Sequence, residues 1–166
     1  MIGVKIIRKG NKLQNIRKSI ENLHKQSTSV GYFASQGKHT GRDGIADYSY
    51  AGLAQALELG LTLSRINFQR PMPFMNSISL LTIKGLSNSP AFKSAFYTWG
   101  KNLHKISDPT MLLDSMGKYA QSKASEVFNN PAYFPQNKYN KTPLFETGEL
   151  LKNFAYKNSI SNQVRT

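Results

Sequence analysis

KTPLFETGELLKNFAY, Lys141 to Tyr156, compresses a turn, a helix start and the opening of a strand into sixteen residues. Pro143 locks its own φ and pushes Thr142 towards extended backbone, so the segment begins as a loop. Thr147 stands where a helix N-cap is expected, its hydroxyl accepting from the backbone N–H of Glu149 or Leu150 while Gly148 opens the first turn. Glu149 places a carboxylate in that turn, where the helix dipole favours negative charge. Leu150 and Leu151 supply apolar anchors, and Phe154, Ala155 and Tyr156 lead into a β-prone run. On local physics alone this is a capped surface helix between two strands.

Downstream, Phe154 to Ile160 reads as a final strand, and Ser161 to Thr166 is expected to fray. Upstream, Asn129 to Asn140 is a loop of Asn, Pro, Tyr and Lys. Before it, Asp108 is expected to cap a helix with Pro109 at its first position, running to Phe128 with Leu112, Met116 and Val127 marking its faces. Phe92, Phe96, Trp99 and Leu103 recur at helical spacing and predict a core-facing stripe, with Pro90 near the helix start. Arg70-Pro71-Met72-Pro73-Phe74 forbids a central strand and leads into a helix with Phe74, Ile78 and Leu81 on one face.

Nearer the amino terminus, Tyr48 to Gly60 predicts a helix stopped by Gly60. Leu61 to Gln69 reads as a connector. Gln36 to Asp47 is polar and glycine-rich, a mobile exposed loop suited to ordering against a partner. Ser29 to Ala34 and Ile2 to Arg8 read as strands. Lys12 to Gln26 repeats Leu13, Ile16, Ile20 and Leu23 as an amphipathic helix.

Composition bounds the function. A chain of 166 residues, 39% hydrophobic and 11% aromatic, is one domain able to bury a core. The absence of cysteine excludes disulfides, thiolate-held zinc and thiol catalysis. Twenty-two Lys and Arg against nine Asp and Glu give +13, a balance that points to nucleic acid, an acidic protein surface or a membrane face, with simple solubility as the plain alternative. The charges are dispersed, with no run of four basic residues. No stretch approaches the ~18 apolar residues of a bilayer span, and Met1 to Ile7 is too short for a signal segment. The chain is therefore expected to be made in a cytoplasm, away from any membrane.

Catalytic signals are sparse. His24, His39 and His104 have no metal-ligand spacing, and Asp43 and Asp47 lack the oxygen pattern of a calcium loop. Gly37, Lys38, His39, Gly41 and Arg42 share a loop, but in an order that does not make a phosphate-binding P-loop. The expectation is a protein with no catalytic residues, no metal and no cofactor.

Four segments taken together resemble the tail-completion and virion morphogenesis family of tailed bacteriophages, which includes minor tail and head–tail joining proteins. They are Val30-Gly31-Tyr32-Phe33; Tyr50-Ala51-Gly52-Leu53-Ala54 leading to Leu57-Glu58-Leu59-Gly60; Arg70-Pro71-Met72-Pro73-Phe74-Met75; and Lys141-Thr142-Pro143-Leu144-Phe145-Glu146-Thr147-Gly148-Glu149-Leu150. The closing segment carries the Lys-x-Pro-Leu-x-x-Thr-Gly-x-Leu pattern and is the most specific. In the second segment the family usually has Asn-Glu-Phe-Gly, and in the third Met72-Pro73 interrupts Arg-Pro-Phe.

The resemblance implies an α+β fold, a small antiparallel sheet flanked by several helices. It implies copies, often six, in a ring at the head-proximal end of the tail. The expected partners are the chain itself, a tail-tube or tail-terminator protein, a head-completion or connector protein, and passing genomic DNA without sequence specificity. The location implied is the neck of a virion assembled in the host bacterial cytoplasm. Tyr133, Phe134 and Tyr139, aromatic residues in a loop with nowhere obvious to bury, are expected at subunit or partner contacts together with Thr147 and Leu150. Lys38 and Arg42 are the candidates for contact with DNA in the lumen. The competing readings are a tail terminator, and a soluble protein that binds duplex DNA through its charge without reading its sequence.

Overall fold

The computed structural model describes residues 10–39, 48–60, 62–63, 66–67, 73–130, 132, 148–159 and 164–165. The β-prone run after the opening stretch becomes the middle of a sheet. Strand β6 (Ala155–Asn158) pairs antiparallel with β1 (Thr28–Gly31), Thr28 opposite Asn158 and Gly31 opposite Ala155. Its other edge carries β7 (Val164–Arg165), with Tyr156 opposite Arg165, so the order is β1-β6-β7. The frayed tail expected from Ser161 onward is thus corrected at Val164 and Arg165, whose backbone is held in the sheet. Two short ribbons stand apart from it. One joins β2 (Lys38–His39) to β3 (Tyr48–Ser49), closing the ends of the glycine-rich loop, and the other joins β4 (Thr62–Leu63) to β5 (Ile66–Asn67).

Six α-helices among the described residues complete an α+β domain. The longest, α5 (Thr110–Asn129), lies against the sheet and buries Leu112, Leu113, Gly117, Ala120, Ala124, Val127 and Phe128. Gly117 lets it approach closely, because the Tyr156 ring occupies the space a side chain would need. The helix begins at Thr110, one residue later than Pro109. The cap position is thus Pro109, which has no side-chain acceptor, and the cap expected at Asp108 is corrected: Asp108 stands one residue outside, its Oδ1 accepting from the Thr110 N–H at 3.0 Å and from its hydroxyl at 2.7 Å. Helix α3 (Phe74–Gly85) crosses α5 with the Phe74 and Phe128 rings 5.3 Å apart, and both rings are buried.

Helix α2 (Tyr50–Leu59) starts where Ser49 accepts from the Gly52 N–H at 3.0 Å and ends at Gly60, φ 67°. Helix α4 (Pro90–Lys101) is capped by Ser89 with Pro90 in its first turn. Helix α6 (Glu149–Asn153) has Gly148, φ 62°, at its cap position, which moves the start one residue beyond the expected Thr147 cap. Thr147 lies outside the described residues, as do the strand expected at Ile2 to Arg8 and the proline-rich lead-in at Arg70 to Met72.

Two apolar clusters result. The larger joins Leu57, Phe74, Ile78, Val127, Phe128, Leu150 and Phe154, and the smaller joins Ala95, Trp99 and Leu112 with Leu23, Phe92 and Leu103 against them. Helix α1 (Lys12–His24) departs from its predicted stripe: Leu13 is 82% and Ile20 52% exposed, while Ser19 is fully buried. The reason is polar. Ser19 Oγ donates to the Leu103 carbonyl at 2.9 Å and accepts from the Ser107 N–H at 2.8 Å, satisfying two backbone groups that would otherwise be buried without partners. The α4 stripe is corrected too, since Ala95 and Trp99 turn inward and leave Phe96 52% exposed.

Candidate functional site

Three of the four family-like segments meet the closing segment or one another around α6. Tyr32, from the first, sends its hydroxyl to the Leu150 carbonyl at 2.9 Å and sets its ring edge-on to Phe154, centroids 5.8 Å apart. Burial pushes the Tyr32 phenol well above its ordinary range. Gln36 accepts from the Phe33 N–H at 2.6 Å and donates to the Asn153 carbonyl at 2.5 Å, tying the end of the first segment to the end of α6. Tyr50, from the second segment, lies 3.5 Å from Glu149 Oε2. Desolvation first, and then the Glu149 carboxylate, raise the Tyr50 phenol.

Glu58 links the second segment to the third. Its Oε2 accepts from the Met75 N–H at 2.9 Å and its Oε1 from the Asn76 N–H at 3.4 Å. These are orphan donors at the α3 N-terminus, where Pro73 offers no side-chain acceptor and a carboxylate meets the positive end of the helix dipole. Beneath the polar links, Leu57, Phe74, Leu150 and Phe154 share the larger core.

The proposed contact residues fall unevenly on this frame. Leu150, expected at a subunit interface, is 4% exposed and packs in the core, so its side chain has no surface to offer a partner. Lys38 is exposed on β2. Tyr133, Phe134, Tyr139, Thr147 and Arg42 lie outside the described residues.

A second polar cluster escaped sequence reasoning. Asp114 on α5 accepts from Asn158 on β6 and from Arg165 on β7, forming an ion pair with the latter. The Thr28 hydroxyl shares its proton between Asn158 Oδ1 at 2.9 Å and the Leu113 carbonyl at 3.1 Å. Gln121 Nε2 donates to the carbonyls of Phe154 and Arg165, each at 3.2 Å. Asn158 is 1% exposed, a buried amide whose partners come from α5 and β1. No local spacing announces such a group, because its partners are distant in sequence.

Both clusters spend their polar atoms on one another, which suits them to holding segments together. Among the described residues no group of three or more His, Asp or Glu is placed to hold a metal ion, and no helix is long and apolar enough to cross a membrane. No protein-family model matches the chain, nor does any curated protein or solved structure.

Proposed function

We propose that this chain is a structural subunit of the neck of a tailed bacteriophage, a tail-completion or head–tail joining protein that assembles with copies of itself into a ring, six being the expected number. The observation that carries the reading is the joining of segments that the family pattern places far apart in sequence. Tyr32 binds the Leu150 carbonyl, Tyr50 faces Glu149, and Glu58 caps the helix that Phe74 opens. A recurring sequence pattern needs a physical reason, and a shared frame that fixes α6 supplies one. In this reading the frame is internal, and the contacts with neighbours belong to the residues around it. The protein catalyses nothing and holds no cofactor. Its +13 charge tolerates DNA passing through the ring by phosphate attraction alone.

Light scattering on the purified chain, alone and mixed with isolated tails, tests this. The expected result is a mass several times the 18.6 kDa of one chain, either free or formed on tails. A persistent monomer that ignores tails overturns the reading. If that monomer retards duplex DNA at low salt, the competing reading of a sequence-blind DNA-binding protein takes its place.

A further inference from the structure

Helix α4 lies outside all four family-like segments, and its outer side is an open groove of about 760 Å³. The floor is aromatic. Phe92 and Phe96 stack with centroids 6.2 Å apart, and Phe96 and Tyr97 are 52% and 62% exposed. The rim is cationic: Lys93 and Lys101 line the groove, and Lys101 Nζ sits 4.4 Å over the Tyr97 ring. Among the described residues no carboxylate pairs with either lysine. Exposed aromatic surface flanked by unneutralised charge of one sign is the complement of a segment with an apolar face and acidic margins.

We infer that this groove docks an acidic amphipathic helix from another protein, its apolar side chains on Phe96 and Tyr97 and its carboxylates at Lys93 and Lys101. The two lysines are eight residues apart, about 12 Å along the helix, so the partner's acids are separated by a similar distance. A second copy of this chain is a poor occupant, because at +13 it brings like charge to a cationic rim. The inference does not depend on the neck reading, and the failure of either leaves the other standing.

Trp99 is the single tryptophan and lies 6.1 Å from Phe96, so its fluorescence reports on the groove. The full chain is titrated with a synthetic helix of about 15 residues carrying Leu on one face and two Glu eight positions apart. The same peptide with Lys for Glu, and an oligothymidylate of similar length, serve as comparisons. The expected result is a saturable Trp99 response to the Glu peptide, about tenfold or more tighter than to the Lys peptide. Phe96→Ser weakens it by a similar factor, and Lys93→Glu with Lys101→Glu reverses the preference. Equal affinity for the two peptides, or no response to the Glu peptide, overturns the inference without recourse to any variant. A tighter response to the oligothymidylate that displaces the peptide assigns the groove to single-stranded nucleic acid instead.

Discussion

At Gly117 an added methyl group would stand 2.2 to 2.8 Å from carbons of the Tyr156 ring, inside the contact distance of any packed pair. Tyr156 is 2% exposed and cannot swing away. Gly117→Ala is therefore expected to cost about 1–3 kcal/mol or more as an overpacking change, read as a lower urea midpoint. Tyr32 makes a prediction in pH. Its phenol titrates higher in the folded chain than the ordinary value of about 10. The protonated form thus contributes its full stability below about pH 10 and loses it as pH rises beyond, where the unfolded chain alone can ionise. Tyr32→Phe should lower stability at neutral pH by about 1 kcal/mol, through the lost bond to the Leu150 carbonyl, and flatten the alkaline fall. Urea unfolding at neutral pH and above pH 10 checks both arms. At this scale the sequence is least legible: nothing near Asn158 foretells a buried amide, since its partners Asp114 and Thr28 arrive only with the tertiary fold.

Helices that meet the core squarely were readable. Phe74 and Ile78 were expected on one face of α3 and are both fully buried, and the Gly60 stop of α2 stands where left-handed backbone is needed. Apolar spacing failed where a second requirement outranked it. In α1 two buried backbone groups needed a hydroxyl, and Ser19 displaced Leu13 and Ile20 from the interior. In α4 the small Ala95 beside Trp99 made the closer packing face, and the larger Phe96 was left outside. A pattern of residue types records which side can be buried but not which neighbour needs a hydrogen bond. The element-scale links can be cut singly. Glu58→Ala removes the acceptor at the α3 N-terminus and should cost about 1 kcal/mol, with Glu58→Gln intermediate because it keeps an acceptor and loses the charge; thermal unfolding of the three proteins gives the ranking. Leu150→Ala should cost about 2–5 kcal/mol as a core cavity. That effect must show in a denaturation curve on the isolated chain, before any partner is present, whereas a loss seen only in assembly would return Leu150 to an interface.

Across the whole molecule the α+β class is what the resemblance implied and what the six described helices and small antiparallel sheet form, but the layout of the sheet was not legible. The strand expected after α6 proved to be the central one, and the segment expected to fray supplies its outer partner through Arg165 and Asp114. Arg165→Ala should loosen β7 with little effect on the larger core. Backbone amide exchange would then quicken at 164–165 and at the facing Tyr156 and Lys157, while protection in α3 persists.

The pairing of Thr28–Gly31 with Ala155–Asn158 also sets a timetable. During synthesis the ribosome delivers β1 early and its partner more than a hundred residues later, so the chain between them must wait with Tyr32, Leu57 and Phe74 uncovered. Loop closure over that distance slows folding, and a nascent chain in this condition is exposed to aggregation and to chaperones. Any fragment that stops short of residue 149 should accumulate in that unfinished form, and adding residues 149–158 as a separate peptide is the direct way to see whether the central strand rescues it.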